Sequence, residues 1–118
     1  MHKLKDLLIW QKTVDLALLI YKATESFPTE EKFGLASQIR KSAISIPSNI
    51  SECAGRNGNK EFNQFLGIAR GSSYELETQL IIADKLNLLH DEIAKELLNK
   101  LTEIQKMSYS LMQKLRIT

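Results

Sequence analysis

Residues 38–55, QIRKSAISIPSNISECAG, decide the fold, because they keep helical spacing straight through Pro47. An interior proline removes one backbone donor and crowds the carbonyl four residues earlier, here Ala43, at a cost of roughly 3 kcal/mol. Packing has to offset that. Ile39, Ala43, Ile46, Ile50 and Cys53 fall at alternating steps of four and three, a seam that faces other helices. One position behind runs a wholly polar stripe of Gln38, Ser42, Ser45, Asn49, Glu52 and Arg56. In water, Ser42 and Ser45 would be poor choices beside better helix formers. The stripe therefore reads either as a subunit interface that small hydroxyls allow to close tightly, or as a dense polar network within the chain.

Outward from this stretch, the chain reads as helices throughout. Helix 1 is expected from about Lys5 to Glu25, with Leu7, Val14, Leu18 and Tyr21 on one face and Ile9, Leu16 and Ile20 widening it. Trp10 near its start reads as a partly buried anchor, or as an interface hot spot. Phe27-Pro28 stops this helix, because a residue before proline avoids helical angles. Thr29 followed by Glu30 and Glu31 supplies a capping hydroxyl and two carboxylates, so helix 2 is expected from about Glu30 to Ala54. Gly55-Arg56-Asn57-Gly58 ends it with glycines able to take a left-handed cap, and Asn59 is the expected N-cap of the next helix.

Helix 3, expected from about Lys60 to Leu86, has the cleanest seam: Phe62, Leu66, Ala69, Ser73, Leu76, Leu80 and Ala83. Gly67 and Gly71 interrupt it, each costing roughly 1 kcal/mol relative to alanine, which predicts a close backbone neighbour in the proline-bearing part of helix 2. Helix 4 starts near Asp91 after a short connection from Asn87 to His90. Its core stripe is Ile93, Leu97, Leu101, Ile104, Ser108, Leu111 and Leu115. Lys100, Lys106, Lys114 and Arg116 toward its C-terminal end suit the helix dipole, and read first as a solvated face and second as a binding patch. No strand signal, repeat or long linker is visible. Helices of about 20 to 27 residues with short turns predict an all-α, antiparallel up-down-up-down four-helix bundle over residues 1–118, with an interior proline in helix 2.

The chemistry of the sequence is sparse. A chain of 118 residues is one domain in size, and its 43% apolar and 25% charged residues match ordinary globular usage. Its net charge of +2 and pI near 8.7 permit contact with a polyanion without arguing for it. Cys53 is the only cysteine, so no disulfide forms within the chain, and a buried, inert thiol is expected on the apolar seam. The longest apolar runs fall well short of the roughly 20 residues that span a membrane, and no signal-peptide pattern is present, so a cytoplasmic location is expected. His2 and His90 lack the preceding glutamates of a di-iron bundle, so no metal is expected. Glu75 and Glu77 point to different sides of helix 3 and make a poor acid/base pair. The residues thus argue against an enzyme, a cofactor or a small-molecule substrate. Arg40, Lys41, Arg56, Lys60 and Arg70 are the candidate nucleic-acid contacts, as a basic surface of the helix 2 and helix 3 pair.

The run Gln38–Glu52, with Trp10-Gln11-Lys12, Phe27-Pro28, Phe33-Gly34-Leu35, Glu61-Phe62, Phe65-Leu66 and Ala69-Arg70-Gly71-Ser72, resembles the small four-helix-bundle proteins encoded in 23S rRNA intervening sequences of bacteria. The resemblance covers nearly the whole chain. It implies a cytoplasmic bacterial bundle that assembles as a ring-like homopentamer, in a family named for gene location rather than activity. It also implies kinship with an accessory protein of diversity-generating retroelements, which binds nucleic acid through a basic surface. The expectation is a non-enzymatic oligomeric bundle binding RNA or DNA weakly. The alternative is a protein assembly module with no nucleic-acid role, and Trp10, Gln38, Ser42, Ser45, Pro47, Asn49, Glu52, Gly67 and Gly71 are the expected oligomer or close-packing positions. Ser51 and Cys53 depart from the family pattern, which usually continues Asn-Ile-Ala-Glu-Gly.

Overall fold

Pro47 lies inside an uninterrupted helix, α2 (Leu35–Ala54), and its ring is buried. In this computed structural model, which describes residues 7–55 and 58–117, the other helices are α1 (Leu8–Thr24), α3 (Asn59–Lys85) and α4 (Asp91–Ile117). Each helix packs against the next in chain order, and α4 closes against α1. Side-chain bonds from Ser42 to Glu75 and from Ser45 to Ser72 show α2 and α3 running antiparallel. The result is the expected four-helix bundle, 46 Å long and 21 by 20 Å across. Among the described residues no strand forms, and no helix is long and apolar enough to cross a membrane.

The seams of α2 and α3 are as the spacing predicts, with every one of their twelve residues from Ile39 to Ala83 buried. Ile20, Ile39, Leu76 and Leu80 are completely enclosed, and burial of such a side chain contributes about 1.5–3 kcal/mol. Four hydroxyls sit in this core at little cost because each donates to a carbonyl of the preceding turn. Thr13 Oγ1 reaches Trp10 O at 2.8 Å, Thr24 Oγ1 reaches Ile20 O at 2.8 Å, Ser73 Oγ reaches Arg70 O at 2.6 Å and Ser108 Oγ reaches Gln105 O at 2.9 Å.

Five expectations are corrected. The α1 seam is Ile9, Thr13, Leu16, Ala17, Ile20 and Thr24, while Leu18 and Tyr21 face outward. Apolar residues occupy too many sides of this helix for periodicity to choose between them, and threonines fill core positions. Helix 2 begins at Leu35 rather than Glu30: Thr29–Glu31 forms one 3-10 turn, and Gly34 then leaves helical geometry at φ −103°, ψ −108°. Pro28, not Thr29, occupies the N-cap of that turn. Gly58, not Asn59, is the N-cap of α3. Gly55 stays right-handed at φ −84°, and the left-handed residue among those described is Asn87 (φ 60°) in the α3–α4 connection. Asparagine tolerates that conformation better than most residues.

Candidate nucleic-acid interface

The polar stripe of α2 is tied up within the chain. Ser42 Oγ donates to Glu75 Oε1 at 3.1 Å, and Ser45 and Ser72 share a hydrogen bond of 2.8 Å between their hydroxyls. Asn49 Nδ2 donates to Ser45 O at 2.8 Å and to Ser45 Oγ at 3.1 Å. The central part of the stripe is therefore an α2–α3 network, while Gln38 and Glu52 remain exposed at its ends. Glu75 turns to α2 and Glu77 to α4, where Glu77 Oε1 accepts from Gln105 Nε2 at 2.9 Å. Trp10 is half-buried against the core.

Gly67 and Gly71 do not serve close approach of α2. A Cβ added at either position would meet nothing within 4 Å, so their outer surface is open. The angular positions explain this: Ser72 bonds Ser45 on α2, whereas Gly67 and Gly71 lie a quarter turn or more away from it around the helix. Ile44, Ile68 and Ile82, on the outer faces of α2 and α3, are also exposed.

The basic residues divide rather than converge. Arg40 leans onto the C-terminal end of α1, where its Nε donates to Thr24 Oγ1 at 2.8 Å and its Nη2 to Tyr21 O at 3.1 Å. Its guanidinium also lies 4.5 Å from the centre of the Tyr21 ring. A cation at a helix C-terminus suits the dipole and satisfies a last-turn carbonyl, which accounts for Arg40 structurally. Lys41 and Lys60 are exposed on α2 and at the start of α3, and Arg56 lies outside the described residues. Arg70 leans the opposite way, onto α4.

Arg70 is the member of the set with a built environment. Its guanidinium lies 5.8 Å from the Tyr74 ring centre and 5.3 Å from that of Tyr109, so the cation lies within cation–π range of aromatic rings on two helices. Its polar contacts are weak: Nη2 lies 3.4 Å from Tyr74 Oη and Nη1 lies 3.8 Å from Met112 Sδ. The buried Nε has no acceptor. Lys106 stands nearby on α4, and Thr102 and Ser110 add hydroxyls to the same open groove of about 590 Å³. No carboxylate lines this groove, and neither cation has an ion-pair partner among the described residues. The described ion pair, Lys12 Nζ to Glu103 Oε1 at 2.8 Å, lies between α1 and α4 and holds the Glu103 carboxyl below its usual range.

Sequence reasoning picked Arg70, placed Lys106 only in the cation cluster of helix 4, and missed Tyr74 and Tyr109. Tyr74 follows Arg70 by four residues, which is a readable helical pair. Tyr109 and Lys106 needed the α3–α4 register, which the short connection at 87–90 sets.

Cys53 is buried, donates to Phe62 O at 3.3 Å, and has its thiol pushed up to about 11 by that burial. It is a core residue rather than a nucleophile. No group of three or more His, Cys, Asp or Glu side chains among the described residues is placed to hold a metal ion.

A family model described as 23S rRNA-intervening sequence protein matches residues 5–110. The chain is also similar to a crystal structure of a protein of unknown function from the S23 ribosomal protein family of Bacteroides thetaiotaomicron. The two share 26% identity over 89% of this chain and 98% of the other, with a TM-score of 0.83. No curated protein matches the chain.

Proposed function

The chain belongs to the 23S rRNA-intervening sequence protein family, and from that premise we propose that it is a non-enzymatic, self-assembling bundle that binds RNA or DNA weakly through phosphate contacts. The observation that carries the nucleic-acid part is the α3–α4 groove, where Arg70 and Lys106 stand without carboxylate partners among the described residues. An uncompensated cation pair on a rigid helix face attracts a polyanion by releasing its condensed counterions. The pI near 8.7 favours the same encounter.

Self-assembly is supported by the open surface at Gly67 and Gly71 and by the exposed Ile44, Ile68 and Ile82. Isoleucines and side-chain-free helix positions suit a close contact with another copy. The second reading is a protein assembly module without a nucleic-acid role, and the same exposed residues favour it. Native mass measurement and an RNA mobility-shift assay at low ionic strength, run on one sample, test the proposal. An oligomer that shifts RNA is expected. A monomer at micromolar concentration removes the assembly part, and an oligomer that leaves RNA unshifted favours the second reading.

A further inference from the structure

We propose that the α3–α4 groove holds single-stranded nucleic acid by stacking bases on Tyr74 and Tyr109, an inference that rests on the nucleic-acid reading above and adds the strand form it selects. Both residues are about half exposed, Tyr74 at 48% and Tyr109 at 51%. A tyrosine that is merely a core residue buries its ring and leaves only the hydroxyl wet. Here the rings stand on separate helices, each within 6 Å of the Arg70 guanidinium: Tyr74 at 5.8 Å and Tyr109 at 5.3 Å.

The groove matches the two recurrent needs of a single strand, a cationic track and aromatic platforms. Arg70 and Lys106 supply the charge and Ser110 a hydroxyl, while the Thr102 hydroxyl donates to Leu98 O at 2.9 Å and can only accept from a ligand. Glu77, which accepts from the lining residue Gln105, keeps its charge but does not itself line the groove. Tyrosines fixed on helices have few rotors to freeze, so stacking on them sacrifices little entropy. Unpaired bases present their faces to such rings, whereas a duplex keeps its bases stacked on one another and offers only phosphates. The rings therefore favour a single strand, while the cations serve both forms.

The test uses the full chain with a fluorescent, non-self-pairing RNA 12-mer, alone and annealed to its complement, with binding followed by anisotropy. The single strand is expected to bind more tightly than the duplex. Tyr74→Leu and Tyr109→Leu are each expected to weaken single-strand binding about tenfold with duplex binding unchanged, and Tyr74→Phe to retain it. Circular dichroism and melting confirm that each variant folds, and the Phe variant keeps the test decisive should a Leu variant unfold. Equal binding of strand and duplex, insensitive to both Leu variants but steeply salt-dependent, overturns the stacking inference and leaves the phosphate reading standing. Absence of binding to either form overturns both. A changed native mass in the Leu variants with unchanged RNA affinity makes the groove a contact between copies, and likewise overturns the inference.

Discussion

Ser45 and Ser72 hydroxyls meet at 2.8 Å across the α2–α3 interface, close in sequence to the buried ring of Pro47. Ser45 also accepts from Asn49 Nδ2, so one hydroxyl links three side chains. Replacing Ser45 by alanine removes both contacts and is expected to cost about 1 kcal/mol. A Ser45→Ala, Ser72→Ala double-mutant cycle, read by urea unfolding, should give a coupling of about 0.5–1.5 kcal/mol. Additive effects would show that the two hydroxyls do not depend on one another.

Gly67→Ala and Gly71→Ala offer a sharper view of the outer surface. Each added methyl has open space within the chain, so each is expected to stabilise the bundle by about 0.5–1 kcal/mol. In an assembly that packs another copy on these positions, the same methyls weaken association. Thermal melting and native mass, measured together, separate the two effects: a higher melting temperature with a lower mass is the expected result.

Pro47→Ala restores a donor for the Ala43 carbonyl but removes a buried ring. Helical content should be unchanged by circular dichroism, while the altered course of α2 should change the native mass. Unchanged stability together with an unchanged oligomer counts against a role for Pro47 in assembly.

Burial raises the Cys53 thiol to about 11, against an ordinary value of 9.0. The neutral thiol is thus the form the fold favours. Its contribution is fully present below pH 9.0 and is lost as pH rises toward about 11, where the folded-state thiol also ionises. At pH 8 a thiol reagent should label Cys53 at the rate of unfolding rather than at the rate of a free thiol, a difference that a time course in increasing urea measures.

Partial burial and the neighbouring Asp91 carboxyl raise the Asp84 carboxyl above its ordinary 3.8. The protonated form is favoured in the fold, so this group makes the protein less stable as pH rises from 3.8 through the raised value. Asp84→Asn should therefore melt higher than the parent at pH 7, and the two should converge near pH 3. A constant gap across that range contradicts the assignment.

Much of the fold was legible in the sequence. The seams of α2 and α3 could be read directly because each keeps a single row at helical spacing, broken in α3 by Ser73, whose hydroxyl bonds Arg70 O in the preceding turn. The α1 face could not, because Leu18 and Tyr21 compete with Thr13 and Thr24, whose hydroxyls become core-compatible only by bonding the preceding turn. Thr29 and its carboxylates do start a helical turn, but the backbone at Gly34 breaks it before α2 begins. At the site, Arg40 and Arg70 looked alike as basic residues of neighbouring helices. What separates them is direction, since one leans onto α1 and the other onto α4, and direction follows from interhelical register rather than from composition.

The salt dependence of RNA binding tests phosphate-driven association most directly. The logarithm of the binding constant for a single-stranded 12-mer should fall linearly with the logarithm of salt concentration. Arg70→Gln and Lys106→Gln together should flatten that slope by about 1.4, roughly 0.7 for each phosphate that is no longer neutralised. No binding at low ionic strength, or binding indifferent to salt, would contradict a nucleic-acid role for the bundle.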